Sequence, residues 1–283
     1  MMATSTLRIS GRNWIHESGV TLAGGSWQLP IANVIDSRPG IYAEATDNTT
    51  PSTLFTVNLG VARRIDLIFF AYLKTRNDGA ITIEIGNDPS FGVDLHLING
   101  ETTWPQDNTV TDNWGNTTIG TYLDLTYQAM NYPRFFPLAS TVSAQYIRVS
   151  INNSSDPELT RIGCFGACEL ASTDFAFNWN MTFLDESIET LAVSGSAYYD
   201  LRRRKRRLNV APVPMAEATA YGRFFDLLAY KGQKEPFVIL PFGEAAYETR
   251  LEKVGLYGRR SSAPSFSNPF TTYYNMGFQV DEL

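Results

Sequence analysis

Apolar and polar side chains alternate strictly in Ile81-Thr82-Ile83-Glu84-Ile85 and again in Tyr146-Ile147-Arg148-Val149-Ser150-Ile151. A period of two places one set in a core and the other in solvent, the pattern of an antiparallel sheet covered on one face. Leu54 to Leu59 and Ile65 to Tyr72 read as further strands. Turn chemistry separates them at Asn77-Asp78-Gly79, Asn87-Asp88-Pro89, Asn99-Gly100 and Asn152-Asn153-Ser154. The expected product is a β-sandwich. Composition agrees, because 36 aromatic residues with 21 Gly and 14 Pro favour short strands and turns over long helices. With 43% hydrophobic and 18% charged residues, the 283-residue chain can bury a sizeable core and is neither disordered nor a coiled coil.

Charge divides the chain unevenly. Up to Ala171 there are 10 basic and 16 acidic residues; beyond it there are 13 of each. The net charge of −6 therefore sits in the first part, and a linker is expected at 171 to 174, giving domains 1–171 and 174–283. In the second part, Phe175 to Met181, Ala197 to Leu201 and Leu208 to Val213 read as strands. Ala216, Ala220, Phe224, Leu227 and Leu228 then fall at helical spacing, so one helix is predicted from Met215 to Tyr230, closed by Lys231-Gly232. Strands are expected again over Pro236 to Pro241, Thr249 to Tyr257 and Tyr273 to Val280.

Two features attract a functional reading. The first is the long Asn- and Thr-rich segment from Ile98 to Thr126, with Trp104 and Trp114. An indole beside Asn and Asp can stack on a sugar ring, but it can equally pin a long excursion to the sandwich or lie in a subunit contact, and the second role is the commoner one. The second feature is the run Arg202-Arg203-Arg204-Lys205-Arg206-Arg207. Six adjacent cations repel one another and call for acidic or polyanionic partners. DNA contact, an inter-subunit interface and a solvated hairpin face compete. On a strand, at most about half of the run points one way. The interface is favoured, with acidic residues of an adjacent subunit relieving the repulsion.

Catalytic signatures do not emerge. The two histidines, His16 and His96, lie far apart, and Cys164 with Cys168 supply two ligands where a structural zinc site uses four. The cysteines read as small buried thiols of a reduced protein made in the cytoplasm. No nucleophile elbow, Walker-type loop or dinucleotide fingerprint occurs. No basic leader followed by an apolar stretch precedes the first strand, and no apolar stretch is long enough for a membrane span. No enzyme activity, metal or cofactor is expected.

The order of pieces in the first part resembles that of galactose-binding-like, discoidin-type jelly rolls. The matching pieces are Trp27 to Pro30 with Asn33 and Asp36, then Phe55 to Gly60, the strand from Ile65, Glu84-Ile85-Gly86-Asn87 with Phe91, Ala144 to Val149, and Ile162-Gly163. That resemblance implies a sandwich that binds carbohydrate, lipid head groups or protein through loops at one end. It also raises calcium near Asp36, Glu44 or Asp47, for which the spacing selects no cage. The second part looks like the tube-type fold of the distal tail and minor tail protein M families of long-tailed bacteriophages. There the matching pieces are Arg206-Arg207-Leu208, the helix through Phe224-Phe225-Asp226-Leu227-Leu228, Glu235 to Pro241, Tyr257-Gly258 and Tyr274 to Val280 running into Asp281-Glu282. The resemblance implies a split β-barrel with one helix, assembled into a hexameric ring. It further implies a virion tail-tip or baseplate location, tail-tube, hub and fibre proteins as neighbours, and genome DNA only passing through the lumen. On these readings the chain is a mainly β scaffold without membrane insertion; the alternative is an adhesin module binding host-surface glycan.

Overall fold

The two alternating segments form neighbouring strands, joined by a ladder from Ala80↔Asn152 to Gly86↔Tyr146. In the computed structural model the described residues are 6–75, 79–92, 96–102, 133–154, 158–174, 179–191, 197–200, 204–226, 229, 234–241, 248–270 and 273–283. The first part contains β1 (Thr6–Asn13), β2 (Thr21–Ala23), β3 (Trp27–Leu29), β4 (Tyr42–Ala45), β5 (Phe55–Lys74), β6 (Ala80–Gly86), β7 (His96–Thr102), β8 (Arg134–Asn152) and β9 (Arg161–Asp174). The second contains β10 (Trp179–Leu184), β11 (Ile188–Leu191), β12 (Ala197–Asp200), β13 (Lys205–Ala216), β14 (Phe237–Leu240), β15 (Leu256–Arg260), β16 (Ser265–Phe270) and β17 (Tyr273–Glu282). The fold is mainly β, as expected. The first part is a sandwich whose interior holds Phe55, Val57, Ile68, Phe70, Ile83, Ile147 and Phe165, all buried.

Pairing between distant segments joins the two parts. β1 pairs with β9 on one side and with β14 on the other, so one path of strands runs β10-β13-β17-β15-β14-β1-β9-β5-β8-β6-β7. Leu7 and Ile9 of β1 accordingly pack in the second part's core with Leu208, Phe224, Phe237 and Phe278. The segment 171 to 174, expected to be a linker, is instead the end of β9: Ala171, Ser172, Thr173 and Asp174 stand opposite Ile9, Arg8, Leu7 and Thr6. Its polar side chains suggested a loop, but ladder hydrogen bonds use the backbone and tolerate polar residues.

Two further expectations need correction. The helix begins at Glu217, not Met215, with an α-turn Glu217–Thr219 continued as π-helix Ala220–Phe225, together α2. Met215 and Ala216 remain in β13, opposite Tyr274 and Tyr273. Pro214 disfavours helix at the residue before it, and the ladder carries the strand two residues further. Thr249 to Tyr257, expected as one strand, divides into a helix Glu248–Val254 and β15. Gly255 ends that helix, its N–H donating to Leu251 O at 2.6 Å. With a short helix at Thr50–Thr53 as α1, this helix is α3.

A third cluster seals the parts together: Leu67, Phe69, Ala71, Phe135, Cys164 and Cys168 of the sandwich against Val238, Leu240, Leu251 and Tyr257. Phe69 and Tyr257 lie 5.3 Å apart, ring centre to ring centre. Gly166 makes this packing fit, because a Cβ there would sit 2.1 Å from the Phe69 ring. Gly166→Ala should therefore cost about 1–3 kcal/mol by overpacking, read as a lower urea midpoint with an unchanged m-value.

Candidate functional site

Where β4, β9 and β5 lie side by side, two rows of cross-strand neighbours form on the outer side of the sandwich. Tyr42 stands opposite Gly163, and Gly163 opposite Tyr72; two residues along, Glu44 stands opposite Arg161, and Arg161 opposite Lys74. Period two puts both rows on one face. The intervening Ala43, Ile162 and Leu73 are buried in the sandwich interior.

A local change of strand geometry marks this half-buried face. Along β9 the inward set passes from Phe165 to Ile162, and along β5 from Phe70 to Leu73, a step of three rather than two. At this step Cys164 has φ 47°, a left-handed conformation unusual for a residue with a side chain. Its thiol is buried and donates to the Tyr257 hydroxyl at 3.1 Å, and that hydroxyl donates to Ser37 O at 3.0 Å. Burial pushes the Cys164 thiol up to about 12, so it is no nucleophile at neutral pH.

The patch combines aromatic surface with charge. The Tyr42 and Tyr72 rings are 6.1 Å apart and flank buried Gly163, over which the Pro39 carbonyl closes. A Cβ on Gly163 would meet Pro39 O at 2.4 Å and Tyr72 Cβ at 3.2 Å, so the close approach of the 36–39 loop requires glycine. The Arg161 guanidinium sits 5.1 Å from the Tyr42 ring centre, and its Nε donates to Glu44 Oε2 at 2.7 Å. Lys74 pairs with Glu158. Burial pushes the Tyr72 phenol up, opposed by the nearby Lys74 and Arg161 cations. At the rim Arg38 forks onto Asp36 at 2.9 and 2.7 Å, which holds that carboxyl at about 2. Two half-buried phenol rings and the Arg161 guanidinium, held by the buried Glu44 carboxylate, place apolar faces beside hydrogen-bond donors.

The residues singled out in the sequence lie elsewhere. Trp104, Trp114, Arg202 and Arg203 fall outside the described residues. The other four members of the basic run each meet an acid of the same chain: Arg204 meets Asp185 and Lys205 meets Glu186, both at 3.2 Å, while Arg206 meets Glu282 at 2.7 Å and Arg207 meets Asp281 at 2.6 Å. For these four the compensating charge is intramolecular. Among the described residues no group of three or more His, Cys, Asp or Glu side chains converges. Asp47 is engaged by Thr49 and Ser52, and His16 by Asn13 at 3.2 Å. The Tyr42–Tyr72 patch was missed. Its signal is three i, i+2 pairs, Tyr42/Glu44, Tyr72/Lys74 and Arg161/Gly163, which acquire meaning only once the strands are set side by side.

No protein-family model and no curated protein sequence matches the chain. Solved structures similar to it include chitosan-binding module 1 derived from a chitosanase/glucanase of Paenibacillus sp. IK-5, at 16% identity over 56% of this chain and 99% of that one, TM-score 0.37. Others are the family 32 carbohydrate-binding module from Clostridium perfringens NanJ in complex with galactose (17%, 57% and 99%, TM-score 0.38) and CBM32-1 from a family 31 glycoside hydrolase of the same organism (10%, 54% and 95%, TM-score 0.34). These are likenesses of fold over a little more than half of this chain.

Proposed function

We propose that the protein is a carbohydrate-binding adhesin module that recognises surface glycan through the outer face of its sandwich. One observation carries this reading: two half-buried phenol rings, Tyr42 and Tyr72, lie directly beside the Arg161–Glu44 pair on one face of the sheet. A pyranose offers the complementary surfaces, with C–H groups for the rings and hydroxyls for the guanidinium. The expected result is binding of the full chain to immobilised galactose- or N-acetylglucosamine-terminated oligosaccharides, weakened about 10- to 100-fold by Arg161→Ala or Tyr72→Ala. Arg148→Ala serves as the control, since Arg148 packs on Phe91 and pairs with Glu84 on other strands. Absence of glycan binding, or equal loss in the control, would sink the proposal.

A second reading is a phage tail-tip scaffold in which the 174–283 part assembles into a ring among tail-tube, hub and fibre proteins. It is supported by dissimilar exposed apolar side chains at opposite ends of β13. Opposite Arg206 stands Phe183, 59% exposed, and near Ala216 lie Tyr221, Phe225 and Tyr273, with exposures from 42 to 49%. Unlike surfaces at opposite ends suit head-to-tail association, which closes into a ring when the rotation permits. Light scattering after size exclusion, with imaging of the largest species, tests it. A strict monomer at every concentration and salt would count against self-assembly.

A further inference from the structure

Three adjacent strands of the second part carry amides at one level. Asn180 of β10 stands opposite Asn209 of β13, which stands opposite Gln279 of β17. Their side chains form one directional chain. Gln279 Nε2 donates to Asn209 Oδ1, and Asn209 Nδ2 donates to Asn180 Oδ1 at 2.6 Å, while Ser261 Oγ lies 3.0 Å from both Gln279 Oε1 and Asp281 Oδ1 and has one proton for the two. A primary amide has two N–H donors and two acceptor lone pairs. Asn209 commits one donor and one acceptor to the ladder and Gln279 one donor, so each keeps at least one of each.

This ladder borders a groove of about 480 Å³, lined also by Ser262, Ser265 and Trp179. The volume falls in the range of small-ligand sites. Among the described residues no charged side chain lines it, although the chain as a whole carries 52 formally charged residues. An anion would find no cation there, and a cation no carboxylate. A saccharide hydroxyl, which donates and accepts at once, matches what each rung keeps free. We propose that the groove is a second saccharide site, selective for neutral mono- or disaccharides and separate from the Tyr42–Tyr72 patch, which lies on β4, β9 and β5. Two sites on one chain would strengthen attachment to a surface bearing many sugars by making the second contact intramolecular.

The test is NMR titration of the full-length chain, labelled with ¹⁵N and with ¹³C-tyrosine, using lactose and N,N′-diacetylchitobiose as probes. The side-chain amide signals of Asn180, Asn209 and Gln279 should shift saturably with at least one sugar. The shifts should persist in Tyr72→Ala and weaken at least tenfold in Ala263→Trp, which fills the groove from an exposed loop position. Asn180→Ala, at the exposed sheet edge, should weaken the Gln279 shift without filling the groove. Amide signals that do not move with either sugar, that move equally in Ala263→Trp, or that stop moving in Tyr72→Ala would overturn the second site. The Tyr42 and Tyr72 ring signals report the first site separately, so either site can fail alone.

Discussion

Replacing Arg206 by Met should destabilise the protein by about 3–5 kcal/mol, whereas Arg204→Ala, only two residues away, should change stability by less than about 1 kcal/mol. The two arginines belong to one run of cations, yet their surroundings are opposite. Arg206 is 1% exposed and fully committed. Its Nε and one terminal nitrogen donate to Glu282 at 3.1 and 2.7 Å, and the other terminal nitrogen donates to the carbonyls of Glu252 and Lys253 at 2.7 and 2.9 Å. It thereby ties β13 to the C-terminal end of β17 and to α3. Removing the guanidinium leaves Glu282, itself 4% exposed, without its cationic partner, and leaves two helix-end carbonyls without their donor. Arg204 meets Asp185 in solvent, where water and salt screen the pair. Urea unfolding of the two single variants measures the contrast. Arg206→Met combined with Glu282→Leu should recover much of the loss, because the stranded charge is then gone. Equal stability of all three variants would mean that this pair bears no part of the fold's stability.

This contrast was partly legible in the sequence. Alternation already limits a run of cations on a strand to about half pointing one way, and Arg206 shares its parity with Leu208 and Val210, both buried. The identity of its partner was not legible, since Glu282 lies 76 residues away. The same division holds across the fold. β6 and β8 were readable because period two is a local signal, and β17 for the same reason. The role of β1 was not readable. Its eight residues pair with β14 and β9, segments more than 150 residues along the chain, and no local pattern announces such partners. Asp66 marks where the apolar run of β5 meets polar surface: it accepts from Thr141 and from the Leu170 amide, joining three strands far apart in sequence. The candidate site follows this rule too. Each of its residues is ordinary where it stands, and Gly163 matters only because Pro39 and two tyrosines are brought to it. The helix at Glu248–Val254 was missed for a different reason: its apolar residues, Leu251 and Val254, are too few to set helical periodicity against a strand reading.

A pH-dependent effect of similar size is expected at the seam between the two parts. Arg134 of β8 reaches across to Glu252 of α3, which is 0% exposed, and also lies 3.7 Å from Glu101. Burial pushes the Glu252 carboxyl above the ordinary glutamate range. The Arg134 cation opposes this most strongly, helped by hydrogen bonds from Arg134 and from the backbone, including that of Phe135. One carboxylate oxygen, Oε2, has no hydrogen-bond partner among the described residues. The sign follows from linkage: the folded state holds this proton more tightly than the unfolded one. Glu252 therefore contributes most below the ordinary value of 4.5, and its contribution is lost as pH rises through the folded value. Arg134→Met removes the opposing cation, raises the folded value further and extends that window upward. At pH 8 the variant should lose about 3–5 kcal/mol, as expected for a buried acid deprived of its partner. At pH 5 the loss should shrink, because protonation removes the unpaired charge. Glu252→Gln in the Arg134→Met background should restore most of the stability at pH 8 and flatten the difference between the two pH values. The measurement is the urea midpoint of each variant at pH 5 and pH 8. A loss of equal size at both, unaffected by Glu252→Gln, would assign the effect to Arg134 packing on Phe136, whose ring centre lies 4.4 Å from the guanidinium carbon, rather than to charge.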